Sequence, residues 1–322
     1  MTLSFTLRLF CLLLVVLGLV CATAQTLFSL AAHSLLRRLE RVTARQSECT
    51  LYLIQIAPLL LAIVVAGALC LPAYLRYEPT RETEPVSWLC LLIAAVVTFW
   101  FGSAALRGVV IVFRTLRFIR ACRSSGHIVR ISGDASPLLA LAEANPPVGL
   151  IGFLRPLILV STDLLGTGGL HTDALEVALD HERSHAAHLD NWKQLFLSFL
   201  PQLPFDPWLR HWQKAADWAA DDDAVRGDSS RSLLLAEALV RTARAIQIRR
   251  PSVICAALTS AEAGLAVRVD RLLHPHRSSR PADAFLHLGL AALVLLFAAA
   301  TVIAFPGLMY SFFEHILHLG SV

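Results

Sequence analysis

Long apolar runs alternate with polar segments along the chain, and four of the runs reach the roughly 20 residues that a helix needs to cross a bilayer. They cover residues 9–32, 51–75, 86–113 and 284–305. The third run is interrupted late by an arginine, and the fourth is closed by a Pro-Gly pair. The pattern predicts four transmembrane helices, with a polar segment between the third and the fourth that is long enough for one compact domain.

The first apolar run has two interpretations, a cleaved signal peptide and an uncleaved transmembrane helix. Ala22-Thr23-Ala24 resembles a signal-peptidase cleavage site, but a signal peptide carries its positive charge before the apolar region. Here only Arg8 precedes the run, while four arginines follow it within residues 33–50. This distribution favours an uncleaved span with the N-terminus outside over a cleaved signal peptide.

Arginines also predict the topology, because cytoplasmic loops of membrane proteins are enriched in Lys and Arg. The 33–50 loop is arginine-rich, the 77–85 loop has one Arg against three Glu, and residues 114–123 contain four more arginines. We therefore expect a multi-pass protein of the bacterial-type inner (cytoplasmic) membrane. Both termini would lie outside and the large polar domain in the cytoplasm.

Composition agrees with this class of protein. The chain has 322 residues, of which 56% are hydrophobic and 16% charged, whereas soluble domains carry about a quarter charged residues. These values exclude a purely soluble protein and a disordered one. The net charge of +4 is too small for a nucleic-acid binder, so we expect the lipid bilayer as a partner and no direct nucleic acid binding.

Within the polar domain, the pattern predicts a strand over 127–132, a β-hairpin over 148–160 and a glycine-rich connector over 165–170. A helix over 171–192 follows, with Asp173 as its N-cap and Glu176 as the partner in a capping box.

This helix contains the sequence His181-Glu182-Arg183-Ser184-His185, an H-E-x-x-H motif. Histidines four residues apart lie on one helical face, where both can bind one Zn²⁺ while Glu182 holds the attacking water as a general base. The competing interpretation is a polar helix with surface histidines. His188 continues the row, but three ligands on one straight helix cannot surround a tetrahedral metal, so we expect it outside the metal's ligand set.

A third zinc ligand is expected from a second helix over 207–227, which Asp206 and Pro207 begin and Gly227 ends. Asp217 and Asp221 lie on one face of this helix. The acidic residues near its C-terminus oppose the helix dipole, so the sequence predicts positive charge nearby, which a zinc site would provide.

The H-E-R-S-H helix followed by Asp190-Asn191, the D-W-A-A-D segment over 217–221 and the segment 152–165 resemble the BlaR/MecR antirepressor family of membrane zinc metallopeptidases. The resemblance implies that His181 and His185 bind zinc and that Glu182 is the general base. It places Asp217 where the family has a glutamate ligand and Asp221 at the carboxylate that supports a ligand. Asp217 is one methylene shorter than glutamate, so Asp221 remains an alternative ligand.

The expected fold is a mainly α membrane protein: a three-span region (1–118), a cytoplasmic α+β zincin-like metallopeptidase domain (119–282), a fourth transmembrane helix (283–305) and a short external tail (306–322). Because this tail is short, we expect the chain to lack the penicillin-binding sensor domain of the family. The expected function is a zinc endopeptidase that cleaves a cytoplasmic or membrane-proximal protein, by family analogy a transcriptional repressor, with the substrate pairing as a strand on the 148–160 hairpin.

Two other functions remain open. One is a non-catalytic membrane signalling or scaffold protein with a vestigial metal site, which the short Asp217 favours. The other is an HtpX-type quality-control protease. That family has two spans after its motif, whereas the apolar stretch 195–205 is short and interrupted by prolines.

Overall fold

A computed structural model describes residues 4–77, 87–129, 138–142, 144, 147–154, 156–166, 169–204, 207–248 and 261–274. The predicted fourth span (284–305) and external tail (306–322) lie outside the described residues.

Three helical stretches are long and apolar enough to cross a membrane, as predicted for the first three spans. They comprise α1 (Phe5–Leu39), α2 (Ala44–Val64), which continues through a π-helical turn (Val65–Cys70) into α3 (Leu71–Tyr77), and α4 (Trp88–Ser125). At about 1.5 Å per residue, α1 and α4 are each longer than 50 Å, well beyond the roughly 30 Å of a bilayer core. If these helices cross a bilayer, their ends extend past the apolar layer.

The spanning helices pack closely through small residues. Leu12 and Val15 of α1 are buried in a cluster with Cys70 and Tyr74 near the far end of the second span. A Cβ at Gly18 would collide with Val97 of α4, so the missing side chain allows the two helices to approach.

The polar region begins with a four-stranded sheet in the order β1-β2-β4-β3. Its strands are β1 (His127–Val129), β2 (Leu138–Leu141), β3 (Val148–Ile151) and β4 (Leu157–Ser161). The antiparallel pairing of β3 with β4 confirms the predicted hairpin. β2, which pairs in parallel with β4, was not predicted.

The helix that contains the H-E-x-x-H motif packs on this sheet. After a short helix α5 (Thr162–Leu165), α6 runs over Thr172–Ala187 and buries Ala174 and Leu179 against Ile158 and Val160. His171 occupies the N-cap position without a side-chain hydrogen bond. The prediction of Asp173 as the cap was therefore wrong, and so was that of one helix reaching residue 192.

Three further helices complete the described polar region together with α7 (Asp190–Phe199). They are α8 (Trp208–Val225), α9 (Ser229–Ile248) and α10 (Ala261–Leu273). α8 ends near the predicted glycine, with Arg226 and Gly227 both at positive φ. Its start differs from the prediction, because Pro207 is the residue before the helix.

The polar region is not separate from the spanning helices. α4 continues through the predicted boundary at residue 118, and a Cβ at Gly108 of α4 would lie 2.5 Å from the ring of Phe199 at the end of α7. Three carbonyls that follow α7 accept hydrogen bonds from side chains of α1 and α4. The pairs are Leu200 with Arg107 (3.1 Å), Pro201 with Gln25 (2.6 Å) and Gln202 with Trp100 (3.1 Å).

α8 packs between the spans and α6. Trp208 and Trp212 are buried with Leu51 and Ile54 of α2, while Ala224 lies against Val177 of α6. Small residues therefore allow α8 to approach the helix that contains the motif.

Candidate metal centre

The two motif histidines point the same ring atom at each other. Nε2 of His181 and Nε2 of His185 are 3.2 Å apart, and the rings meet nearly at right angles, 87°. Two nitrogens at about 2.0–2.1 Å from one tetrahedral Zn²⁺ would be separated by about 3.3 Å. The pair therefore has the spacing of two ligands of one metal ion.

Asp217 of α8 supplies an oxygen to the same place. Its Oδ1 lies 3.6 Å from His185 Nε2, and one potential ligand atom from each of His181, His185 and Asp217 lies within 4.8 Å of the others. The side chain of Asp217 is 42% exposed, so the group is open to solvent on one side. The structure thus brings together the three residues that the sequence predicted as metal ligands.

The opposite nitrogen of each histidine faces a carboxylate. Nδ1 of His185 is 2.7 Å from Oδ2 of Asp190, and Nδ1 of His181 is 3.0 Å from Oδ1 of Asp221, although this second N–H is not aligned well enough to form a hydrogen bond. A donor on Nδ1 leaves Nε2 unprotonated and directed at the centre, as in carboxylate–histidine–metal arrangements. Asp221 thus lies where the family resemblance places a supporting carboxylate.

Asp190 reaches His185 because the chain turns sharply between α6 and α7. Leu189 adopts a left-handed conformation with φ 57° and ψ 36°, which is uncommon for a residue with a branched side chain. Residues five apart on a continuous helix lie on different faces, so an uninterrupted helix would separate Asp190 from His185.

Asp221 is fully buried and held by Arg268 of α10. The guanidinium donates from Nη2 to Oδ1 (2.7 Å) and from Nε to Oδ2 (3.0 Å). Burial alone would raise the pKa of Asp221, but the charge of Arg268 and the contact with His181 outweigh it, so the pKa is lowered. Because both of its oxygens are engaged, Asp221 is a weaker candidate for a metal ligand than Asp217.

Arginines neutralise the three consecutive aspartates at the end of α8. Each carboxylate has its own partner: Asp221 with Arg268 (2.7 Å), Asp222 with Arg271 (2.6 Å) and Asp223 with Arg45 (2.6 Å). Positive charge was predicted here, but its described source is two arginines of α10 and one of α2. The acidic run is therefore explained without a metal.

Glu182 is half-buried, and its charge acts on two neighbours, His185 and Arg268. Burial alone would lower the pKa of His185, but the Asp190 hydrogen bond and the charges of Glu182 and Asp217 outweigh it, so the pKa is raised. His188 is exposed, with its Nε2 3.4 Å from Asp223, and is outside the group of three potential ligands, as predicted.

Two residues of the centre were not predicted from the sequence: Asp190 as the partner of His185, and Arg268 as the partner of Asp221. The guanidinium of Arg268 also approaches the ligand atoms, with Nη2 3.4 Å from His181 Nε2 and Nη1 3.7 Å from Asp217. Three consecutive acidic residues at a helix end were the signal that distant arginines would be needed.

The donor set of two imidazoles and one carboxylate suits Zn²⁺, with a fourth position left for water or substrate. The facing Nε2 atoms, each backed by a carboxylate on Nδ1, fit such an ion. Comparison of the chain with protein-family models, with curated proteins and with solved structures gives no match.

Proposed function

We propose that this chain is a membrane-embedded zinc endopeptidase that cleaves a protein or peptide near the cytoplasmic face of the membrane. The observation that carries the proposal is the pair of Nε2 atoms 3.2 Å apart, with Asp217 beside them and Glu182 in the same motif. The resemblance to BlaR/MecR peptidases favours a transcriptional repressor as the substrate.

Zinc held by His181, His185 and Asp217 would supply Lewis acidity that polarises a peptide carbonyl and acidifies water near neutral pH. Glu182 would accept the proton of the attacking water and deliver it to the leaving amine. Asp190 would keep the imidazole of His185 in its binding orientation through Nδ1.

An edge strand lies near the centre and suits a substrate in extended conformation. β3 is at the edge of the sheet, and the amide of Asn191 donates to the carbonyls of Leu150 (3.3 Å) and Gly152 (2.7 Å). Since Asn191 occupies these carbonyls, a substrate strand would pair along the earlier part of β3 or displace this side chain.

The proposed location follows from the spans and the arginines. If α1, α2 and α4 all cross the bilayer, α1 and α4 end on the same side, where their last turns are basic. Reporter fusions after residue 45 and within 125–280 should then report the cytoplasm, whereas fusions near residue 80 and at residue 322 should report the outside.

A second candidate is a non-catalytic membrane protein in which arginine takes the place of the metal. The observation that favours it is the guanidinium of Arg268, 3.4 Å from the His181 Nε2 atom that would bind zinc. The HtpX-type alternative receives less support, because α7 has 10 residues and reaches only about 15 Å, half of a bilayer core.

Zinc content and proteolysis of full-length protein in detergent or nanodiscs separate the two candidates. The wild type should bind one zinc, Glu182→Ala should keep the zinc and lose cleavage, and His185→Ala should lose both. Glu176→Ala, an exposed position of the same helix, is the matched control and should behave as wild type.

The substrate can be found by comparing new protein N-termini in cells that express wild type or Glu182→Ala. Termini that depend on Glu182 support the peptidase. Zinc binding by the wild type without any Glu182-dependent terminus would favour the non-catalytic protein, and a wild type that binds no zinc would overturn the metal site itself.

A further inference from the structure

A carboxylate at the beginning of the second span is completely buried. Glu48 lies near the start of α2 and is 0% exposed. Burying a charge is unfavourable unless partners compensate it, and an apolar side chain would fit a spanning helix without this cost. The buried charge therefore needs a specific explanation.

Glu48 connects to the metal centre through a line of short contacts. Nζ of Lys193 donates to Oε1 of Glu48 (2.7 Å) and to Oδ1 of Asp190 (3.2 Å). The other oxygen of Asp190, Oδ2, is the atom 2.7 Å from Nδ1 of His185. Each carboxylate oxygen of Asp190 thus has its own partner, so the position of Lys193 fixes the orientation of the carboxylate that holds His185.

A second contact holds Glu48 in place. Arg45, one turn earlier in α2, donates from Nη1 to Oε2 of Glu48 (3.1 Å) and from Nη2 to Asp223 of α8 (2.6 Å). Both oxygens of Glu48 are therefore engaged, and the same turn of α2 contacts both α7 and α8. Charges of opposite sign alternate along this network, which compensates the burial of each member.

We propose that Glu48 is a positioning residue for the metal centre, acting on His185 through Lys193 and Asp190. The proposal rests on the proposed zinc site and adds that a spanning helix sets the geometry of that site. A movement of α2 relative to α7 would then change the orientation of His185 without any contact between α2 and the metal.

Loss of the Glu48 charge frees Lys193, which is 22% exposed and can turn to water or shift onto Asp190. Either change alters the hydrogen bond to His185. Mutation of a residue that contacts a metal ligand lowers metal affinity by about 10–100-fold. For Glu48→Gln, one contact further away, we expect zinc affinity to fall by about 3- to 10-fold.

The test is a double-mutant cycle on full-length protein in nanodiscs, with Glu48→Gln, Lys193→Met and the double variant. Zinc dissociation constants and the visible absorption spectrum of Co²⁺-loaded protein are measured well below each melting temperature. If Glu48 acts through Lys193, the double variant should bind zinc no more weakly than Lys193→Met alone, and all three spectra should shift.

Two further variants separate positioning from general stability. Glu48→Asp retains the charge and should recover most of the zinc affinity, because the flexible Lys193 can follow the shorter side chain. Gln55→Met removes another buried polar group of α2 that has no described contact with the centre; it should change the melting temperature but neither the affinity nor the spectrum.

The results distinguish this proposal from the proposed function. A wild type that binds zinc, together with a Glu48→Gln variant of unchanged affinity and spectrum, overturns the positioning role and leaves the peptidase intact. Additive effects of the two substitutions also overturn it. A wild type that binds no zinc overturns the metal site and the positioning role with it.

Discussion

Replacement of Arg268 by methionine should destabilise the metal-free protein strongly. Methionine keeps much of the length of arginine but leaves the carboxylate of Asp221, which is fully buried, without its guanidinium. Removing one partner of a buried ion pair costs about 3–5 kcal/mol, because a charge stays buried without compensation. For a folding unit of roughly 150–250 residues, each kcal/mol of lost stability lowers the melting temperature by about 2–4 °C. The melting temperature of Arg268→Met should therefore fall by roughly 6 to 20 °C.

The assay is thermal unfolding of chelator-treated protein in detergent near pH 7.5, with Arg271→Met as the matched control. Arg271 lies on the same helix but pairs with Asp222, whose side chain is 51% exposed. Because Arg271 also contacts the carbonyl and ring of Trp218, its loss should cost about 1–2 kcal/mol, less than the loss of Arg268. Asp221→Asn added to Arg268→Met removes the buried charge and should recover part of the loss.

The pH dependence gives an independent check of the same reasoning. The lowered pKa of Asp221 in the wild type means that its stabilisation is present above the unfolded pKa of about 3.9 and is lost as the pH falls through the folded pKa. In Arg268→Met, burial without the arginine raises that pKa, so the deficit relative to wild type should shrink in acid. A variant that melts within about 2 °C of wild type at neutral pH would refute the reasoning.

Three other predictions concern the metal and the spans. In zinc titrations, Asp217→Ala should lose most bound zinc, whereas Asp221→Asn should keep it with affinity weakened by about 10–100-fold. Weaker zinc binding by Asp221→Asn than by Asp217→Ala would make Asp221 the ligand. Because the pKa of metal-free His185 is raised, protons should compete with zinc above the ordinary imidazole pKa of about 6.5; affinity that begins to fall only well below that pH would contradict this. In thermal unfolding, Gly18→Ala should lower stability by about 1–3 kcal/mol through collision with Val97, and Val97→Ala added to it should relieve the loss. No effect of Gly18→Ala would contradict the close packing.

The predictable parts of the molecule depend on local patterns. Apolar runs of sufficient length indicate spans whatever surrounds them, and a spacing of four residues places His181 and His185 on one face before any tertiary contact is known. The same spacing places Asp217 and Asp221 on one face of their helix, and the family resemblance singled out Asp217 as the expected ligand. The structure brings these three side chains to one point.

The missed features depend on contacts between distant segments. Leu189 has no local signal for a left-handed conformation, which glycine or asparagine normally provides, so the reversal that brings Asp190 to His185 could not be read from the sequence. β2 consists of leucine and alanine, residues that favour helices, and becomes a strand by pairing with β4. No local pattern distinguishes Arg268 from a surface arginine, because its partner Asp221 lies on a different helix.

The late position of Arg268 in the chain has a consequence for biosynthesis. Helices α1 to α8 leave the ribosome before α10, so Asp221 is synthesised before the cation that neutralises it. Until α10 docks, burying Asp221 is unfavourable, and the contact that directs His181 toward the centre is not secured. On the peptidase proposal, the active centre matures only after α10 has been made and has docked, which would keep a nascent protease from cutting at the membrane before that point.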